Sequence, residues 1–374
     1  MELESHESAQ ILNVNDLINQ IRRISTRFAA LMAVAFIAAC TAMPSQNPEL
    51  AAAIGPQPEE NGPKLDNYRA AEVGQATLLL GRTSIIEPLI RPFSTEVALI
   101  SLLLKSSYGF AKRVAIDVMM FQNLESEPIP PVGSSPGMNL DEWEKELERI
   151  AGTATLGTVE FLVDGPEFFP RFLDVIEHAE ESVEIRTYIF DNDDFGVKVA
   201  NLLKERSKEI VVRVLIDGIG AIIGTRVDAD EISEGFEPPL DMRSHLRMDS
   251  DVRVRTSGNP FLTGDHSKTT IVDGERAFLG GMNIGREYRF EWHDLMMEVT
   301  GPVVDILRRD SDLAWARASW LGDLALFARF LSPRPDQAGS EGVPLTVLET
   351  KDHDSQIYRA QLAAIRRAQS YIYI

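Results

Sequence analysis

Cysteine, long apolar runs and positive charge are what this 374-residue chain has least of. Its single cysteine, Cys40, excludes a disulfide within the chain. Nowhere do apolar residues run for the roughly 18 positions that a membrane-spanning helix needs. Beyond the first 40 residues the best run, Val97 to Leu104, stops at Lys105. Lys and Arg number 37 against 57 Asp and Glu, a net charge of −20. Such a surface repels nucleic acid unless a local basic patch overrides it, and no Lys/Arg run with interleaved aromatics does so. It also repels an anionic bilayer, so a hold on a membrane needs another device. His, Cys, Asp and Glu show no spacing like that of a zinc or two-metal centre, so the residues imply no metal and no cofactor.

Hydrophobic content of 44 % and charged content of 25 % are ordinary for a globular protein. The length suits two domains or one large one. Near the N-terminus a basic cluster, Arg22 to Arg27, precedes twelve apolar residues, Phe28 to Ala39. Twelve cannot span a bilayer but fit the apolar core of a secretory signal. The run ends Ile37-Ala38-Ala39-Cys40, which resembles the lipobox of bacterial lipoproteins. Residues 1–39 therefore read as a lipoprotein-type signal peptide, with Cys40 the lipidated residue of an exported, membrane-anchored protein. The acidic Glu2, Glu4, Glu7 and Asp16 are unlike the usual basic start of such a signal.

Residues 40–66, with Pro44, Pro48, Pro56, Pro58 and Pro63, read as an extended linker. Residues 67–156 form an accessory region with no assigned chemistry, including a charged helix near Asp141 to Ile150 capped by Asn139 or Asp141. From about 157 strands and helices alternate. Strands are expected at 158–163, 182–190, 210–216, 251–255, 268–272, 278–279 and 295–299. Helices are expected at 168–180, 195–208 and 302–319, the last with Trp315 and Trp320 as core packing. The pattern argues an α/β layer, a mixed sheet flanked by helices.

The chemistry gathers at His266-Ser267-Lys268-Thr269-Thr270-Ile271-Val272-Asp273, followed by Gly280-Gly281-Met282-Asn283. The pattern is H-x-K-x4-D and then G-G-x-N. A His and a Lys two apart in extended chain point to the same face. The imidazole titrates near neutral pH and is a nitrogen nucleophile. The ammonium suits a phosphate oxygen. Asn283 offers an amide donor, and Gly280 and Gly281 let the backbone approach a substrate. Attack on a phosphodiester needs such a nucleophile, cations around the phosphoryl oxygens and a proton donor for the leaving alcohol.

This motif resembles the signature of the phospholipase D superfamily, which includes bacterial cardiolipin synthases. The resemblance implies a phospholipase D-like layered fold and transfer through a phosphohistidine formed on His266. It implies that Lys268 and Asn283 bind phosphate, that Asp273 is the motif carboxylate, and that Asp294 orients the histidine. It also implies a phospholipid substrate and a second motif whose His protonates the leaving group. H-x-K occurs once here. An internal repeat nevertheless shows at the end: Ile176, Ala179, Val183 and Ile185 have similar counterparts in Ile365, Ala368, Ile372 and Ile374, an offset of 189 positions. Residues 157–345 thus read as a first catalytic half and 346–374 as the opening of a second, incomplete one. Two further functions fit a lone motif: a metal-independent endonuclease that completes its site as a homodimer, and a non-catalytic lipid-binding protein.

Overall fold

The computed structural model describes residues 74–100, 138–225, 233, 235–258, 264–325, 342–351, 354–369 and 372. The expected signal peptide, Cys40 and the linker lie outside the described residues. Among the described residues no helix is long and apolar enough to cross a membrane.

Eight strands form one sheet: β1 (Thr155–Val163), β2 (Ser182–Thr187), β3 (Val211–Ile216), β4 (Arg253–Thr256), β5 (Thr269–Val272), β6 (Arg276–Gly280), β7 (Leu295–Thr300) and β8 (Val343–Leu345). Their order is β4-β3-β2-β5-β6-β7-β1-β8. β2, β3 and β4 are parallel, while β5 runs antiparallel to β2 and the rest continue antiparallel. The expected mixed sheet is therefore present, and β8 is the strand the sequence pattern did not suggest.

Seven helices matter for the argument: α1 (Leu140–Ala151), α2 (Asp164–Glu177), α3 (Asp194–Arg206), α4 (Met242–Arg247), α5 (Arg286–Phe290), α6 (Val303–Arg317) and α7 (Gln356–Arg367). The alternation of each strand sends its side chains to two different cores. On one face Val183, Ile185, Val212, Val214, Val272 and Phe278 pack against Phe168, Phe169 and Phe172 of α2 and Val199 and Leu203 of α3. On the other, Ile271, Ala277 and Val299 meet Val303, Val304 and Leu307 of α6. Neighbours Ile271 and Val272 thus serve opposite layers. α1 is capped by Asn139, whose Oδ1 accepts from the amides of Asp141 and Glu142. It packs on α7 through Ile150, Ala360 and Ala363. Trp315 lies beneath the guanidinium of Arg255, 4.3 Å from its ring centre. Trp320, expected in the core, is 82 % exposed, because α6 ends at Arg317 before the chain can turn it inward.

The switch from parallel to antiparallel at β2/β5 decides where side chains converge. The carboxyl ends of β2, β3 and β4 lie at the same edge as the amino end of β5. Thr187 and Tyr188, Asp217, and Ser257 leave the first three strands there, and Asp265, His266 and Lys268 enter the fourth. Crevices beyond strand carboxyl ends are where open α/β sheets place ligands.

Candidate active site

β5 begins at Thr269, so His266 and Lys268 lie in the extended segment just before it. Their side chains converge as the two-residue spacing requires. Lys268 Nζ lies 3.1 Å from His266 Nδ1 and 3.2 Å from Nε2, and donates to the His266 carbonyl at 3.1 Å. Lys268 is buried, while His266 is exposed toward solvent. Burial, followed by the neighbouring ammonium, holds the imidazole below the ordinary histidine range, against the pull of Asp217 and Asp265. The shift favours the neutral ring, the form that can attack. Burial brings the Lys268 ammonium down to about 8, with Asp294, Asp265 and Asp217 opposing.

The segment before β5 is held by two carboxylates. Asp217 is buried at the end of β3. Its Oδ1 accepts from the amides of Ile219 (2.8 Å) and Gly220 (3.0 Å), and its Oδ2 from the Asp265 amide (2.7 Å) and the Ser257 hydroxyl (3.0 Å). Asp265 in turn takes a two-pronged contact from Arg186, Nε at 2.8 Å and Nη2 at 3.0 Å. Arg186 also reaches Asp310 of α6. A bidentate guanidinium–carboxylate pair fixes orientation as well as distance.

Asn283 is brought to the site with its amide engaged by protein groups. It is buried, its Oδ1 accepts from the Ile189 amide (3.0 Å), and its Nδ2 donates to the Tyr288 hydroxyl (2.7 Å). Its contacts fix the backbone that leaves β2. Gly280 and Gly281 lie against the start of β7. A side chain at 280 would meet the Leu295 carbonyl at 2.2 Å, and one at 281 the Asp294 carboxylate at 2.0 Å. The glycines thus admit protein groups, not only a ligand. Asp294 does reach the site, on the side of Lys268. Among the described residues no hydrogen bond joins it to His266. Its Oδ1 accepts from the Leu295 amide at 2.7 Å, and its own amide donates to Asp164 at 2.9 Å.

Asp273 is not brought to the site. It follows β5, five residues beyond Lys268, a span of about 16 Å in extended chain. Its backbone is left-handed, with φ 53°. Its carboxylate accepts from the amides of Glu180 (3.0 Å), Glu181 (2.7 Å) and Ser182 (2.9 Å). Burial pushes its pKa up, but those three donors win and hold it below the ordinary carboxylate value. The motif aspartate therefore ties the entry of β2 to the exit of β5. A cleft of about 690 Å³ opens at this far end around Asp273, Arg276 and Pro302.

Sequence reasoning missed Tyr188, Tyr288, Asp164, Asp265 and Arg186, and assigned no chemical role to Asp217. A usable signal existed for Tyr188 and Asp217, which both follow apolar strands at their carboxyl ends. None existed for Asp164, which meets Asp294 across 130 positions of chain. Among the described residues no three His, Cys, Asp or Glu side chains are placed to hold a metal ion.

Residues 172–309 match the family described as "Cardiolipin synthase, PLD-like domain", a span that contains the whole motif. Over that span the chain is similar to the phospholipase D superfamily. It is 26 % identical over 256 residues to a cardiolipin synthase of Alkalihalophilus pseudofirmus, covering 64 % of this chain and 48 % of that protein. To cardiolipin synthase 1 of Bacillus cereus it is 28 % identical over 234 residues, covering 59 % and 44 %. The chain thus spans about half the length of the curated relatives it matches. Among solved structures it is similar to Nuc of Salmonella typhimurium, a phospholipase D family member. That likeness has 15 % identity, a TM-score of 0.34 and coverage of 42 % of this chain and 94 % of the other, and it adds nothing to the fold already traced.

Proposed function

We propose that this chain carries the nucleophilic half of a phospholipid phosphodiester transferase of the cardiolipin synthase type. The observation that carries the reading is an exposed imidazole held 3.1 Å from a buried ammonium. In the first step a His266 nitrogen bonds to phosphorus, and the bond from phosphorus to the leaving alcohol oxygen breaks. That oxygen takes a proton from a general acid. In the second step an alcohol hydroxyl attacks phosphorus, loses its proton to the same group, and the phosphorus–nitrogen bond breaks. Lys268 offsets charge on the phosphoryl oxygens throughout.

A histidine of a second motif is the general acid in this reading. The pairing of β1 with β8 supports a second half. Thr155 faces Leu345 and Leu156 faces Pro344. At the repeat offset, Pro344 and Leu345 are the counterparts of Thr155 and Leu156. Each residue therefore faces the counterpart of its neighbour, which is the contact two copies make across a two-fold axis. α7 also sits where the repeat puts the counterpart of α2. Lipidation at Cys40 would hold such an enzyme beside its substrate. Of the alternatives, the endonuclease has the −20 charge against it.

The test is to incubate the chain with phosphatidylglycerol labelled in its phosphate and then denature it rapidly. Label should stay on the wild-type chain and be absent from His266→Ala. A wild-type chain that takes no label after long incubation would overturn the reading. The incubation must be long because a missing general acid slows the step by roughly 10²–10⁴-fold.

A further inference from the structure

Tyr188 leaves β2 at the edge where the motif gathers, and no part of the chemistry above uses it. Its ring centre lies 4.6 Å from that of His266, tilted at 54°. Lys268 Nζ lies 5.3 Å from the same ring centre. Both distances fall in the range where aromatic pairs and cation–π contacts attract. The ring thus touches the nucleophile and the cation together.

Its own place is well determined. On either side, Thr187 donates to the Ile189 carbonyl at 2.8 Å, and the Ile189 amide donates to Asn283 at 3.0 Å. The Tyr188 carbonyl abuts Gly220, where any side chain would stand 1.8 Å from it. The ring passes beside Gly264, where a side chain would approach to 3.1 Å. Two glycines and one buried amide therefore leave room for this ring and fix its backbone.

We propose that Tyr188 is a positioning residue of the site: its ring face seats the Lys268 ammonium and bounds the His266 imidazole, so that cation and nucleophile address one phosphate. The proposal rests on reading His266 as the nucleophile. It requires the π face and not the hydroxyl. Phe should replace Tyr, and Leu should not. A ring of unchanged size whose face is made less negative should hold the ammonium less well.

The experiment places phenylalanine, 3,5-difluorophenylalanine and 3,4,5-trifluorophenylalanine at position 188 of the full chain. The Lys268 titration is followed by NMR with carbon-labelled lysine, assigned through Lys268→Arg. Burial is the same across the series, so only the ring's field changes. The Lys268 midpoint, near 8 in the parent, should fall stepwise by about half a pH unit or more across it. Phosphoryl labelling, read separately, should stay within about twofold for Tyr188→Phe and drop about tenfold for Tyr188→Leu. A midpoint that ignores fluorination, or a Leu variant that labels like Phe, would overturn the proposal. A stepwise midpoint with no labelling of any variant would instead sink the phosphohistidine reading and leave the seating of Lys268 intact.

Discussion

The carboxylate of Asp294 occupies the space a side chain at Gly281 would need: a Cβ there would stand 2.0 Å from Asp294 Oδ1. The obstruction is the tip of a flexible side chain, so the fold can accept Gly281→Ala by moving it. The cost falls on Lys268, for which Asp294 is the leading carboxylate that keeps the ammonium charged. Gly281→Ala should leave thermal unfolding little changed and lower the Lys268 midpoint below about 8. NMR titration of that lysine is the check, and an unmoved midpoint would mean Asp294 had not been displaced.

The pH dependence of phosphoryl labelling should be bell-shaped, with both limbs set by this pair. His266 must be neutral, and burial with Lys268 holds its pKa below the usual histidine value. Labelling should therefore persist to a lower pH than about 6.5, the ordinary midpoint. Lys268 must be charged, so labelling should fall as pH rises through about 8. In Lys268→Arg the alkaline limb should vanish, since guanidinium stays charged. An alkaline limb that survives that change belongs to another group.

Asp217 should matter through the hydrogen bonds it accepts and through its charge. In Asp217→Asn one acceptor becomes a donor, facing donors already in place around the old carboxylate. The loss should be about 1–3 kcal/mol. Both His266 and Lys268 should titrate lower, because the charge of Asp217 raises both. Denaturant unfolding measures the first effect and NMR the second.

Asp273 should behave as a structural residue despite its place in the motif. Asp273→Ala removes a charged acceptor from three amides and should cost about 2 kcal/mol. The rate of phosphoryl labelling, corrected for folded fraction, should not change. Because its carboxylate pKa is lowered in the fold, this contribution is present above the unfolded value. It is lost as pH falls through the folded one. The stability gap between wild type and variant should close in acid. A large drop in labelling at full folding would return Asp273 to the catalytic set.

Much of this was legible in the sequence, for definite reasons. The alternation over Ser182 to Thr187, with every second residue buried, and the apolar run Val211 to Ile216 mark β2 and β3 by themselves. Asn139 announces the start of α1 because its side chain satisfies amides next to it in sequence. The convergence of His266 and Lys268 follows from two-residue spacing alone. β8 was not legible: three residues with Pro344 at the centre carry no period, and only pairing with β1 makes them a strand. Nor were the roles of Asn283 and Asp294, because their decisive partners, Tyr288 and Ile189 for one and Asp164 for the other, are set by the folded sheet. The motif aspartate shows the same limit. The motif identifies its position in the chain, but only the fold sets it against the amides of Glu180 to Ser182.

β5 is tied off at both ends, by Asp265 to Arg186 before it and by Asp273 to the start of β2 after it. A slip of one residue against β2 would break both ties and turn Ile271 and Val272 to the wrong layers. The four-residue strand therefore has one setting, like a key cut at both ends, and local opening gives it no intermediate position. Its amides should exchange with solvent hydrogen only when the whole domain unfolds, and the spacing of nucleophile and cation should last as long as the fold does.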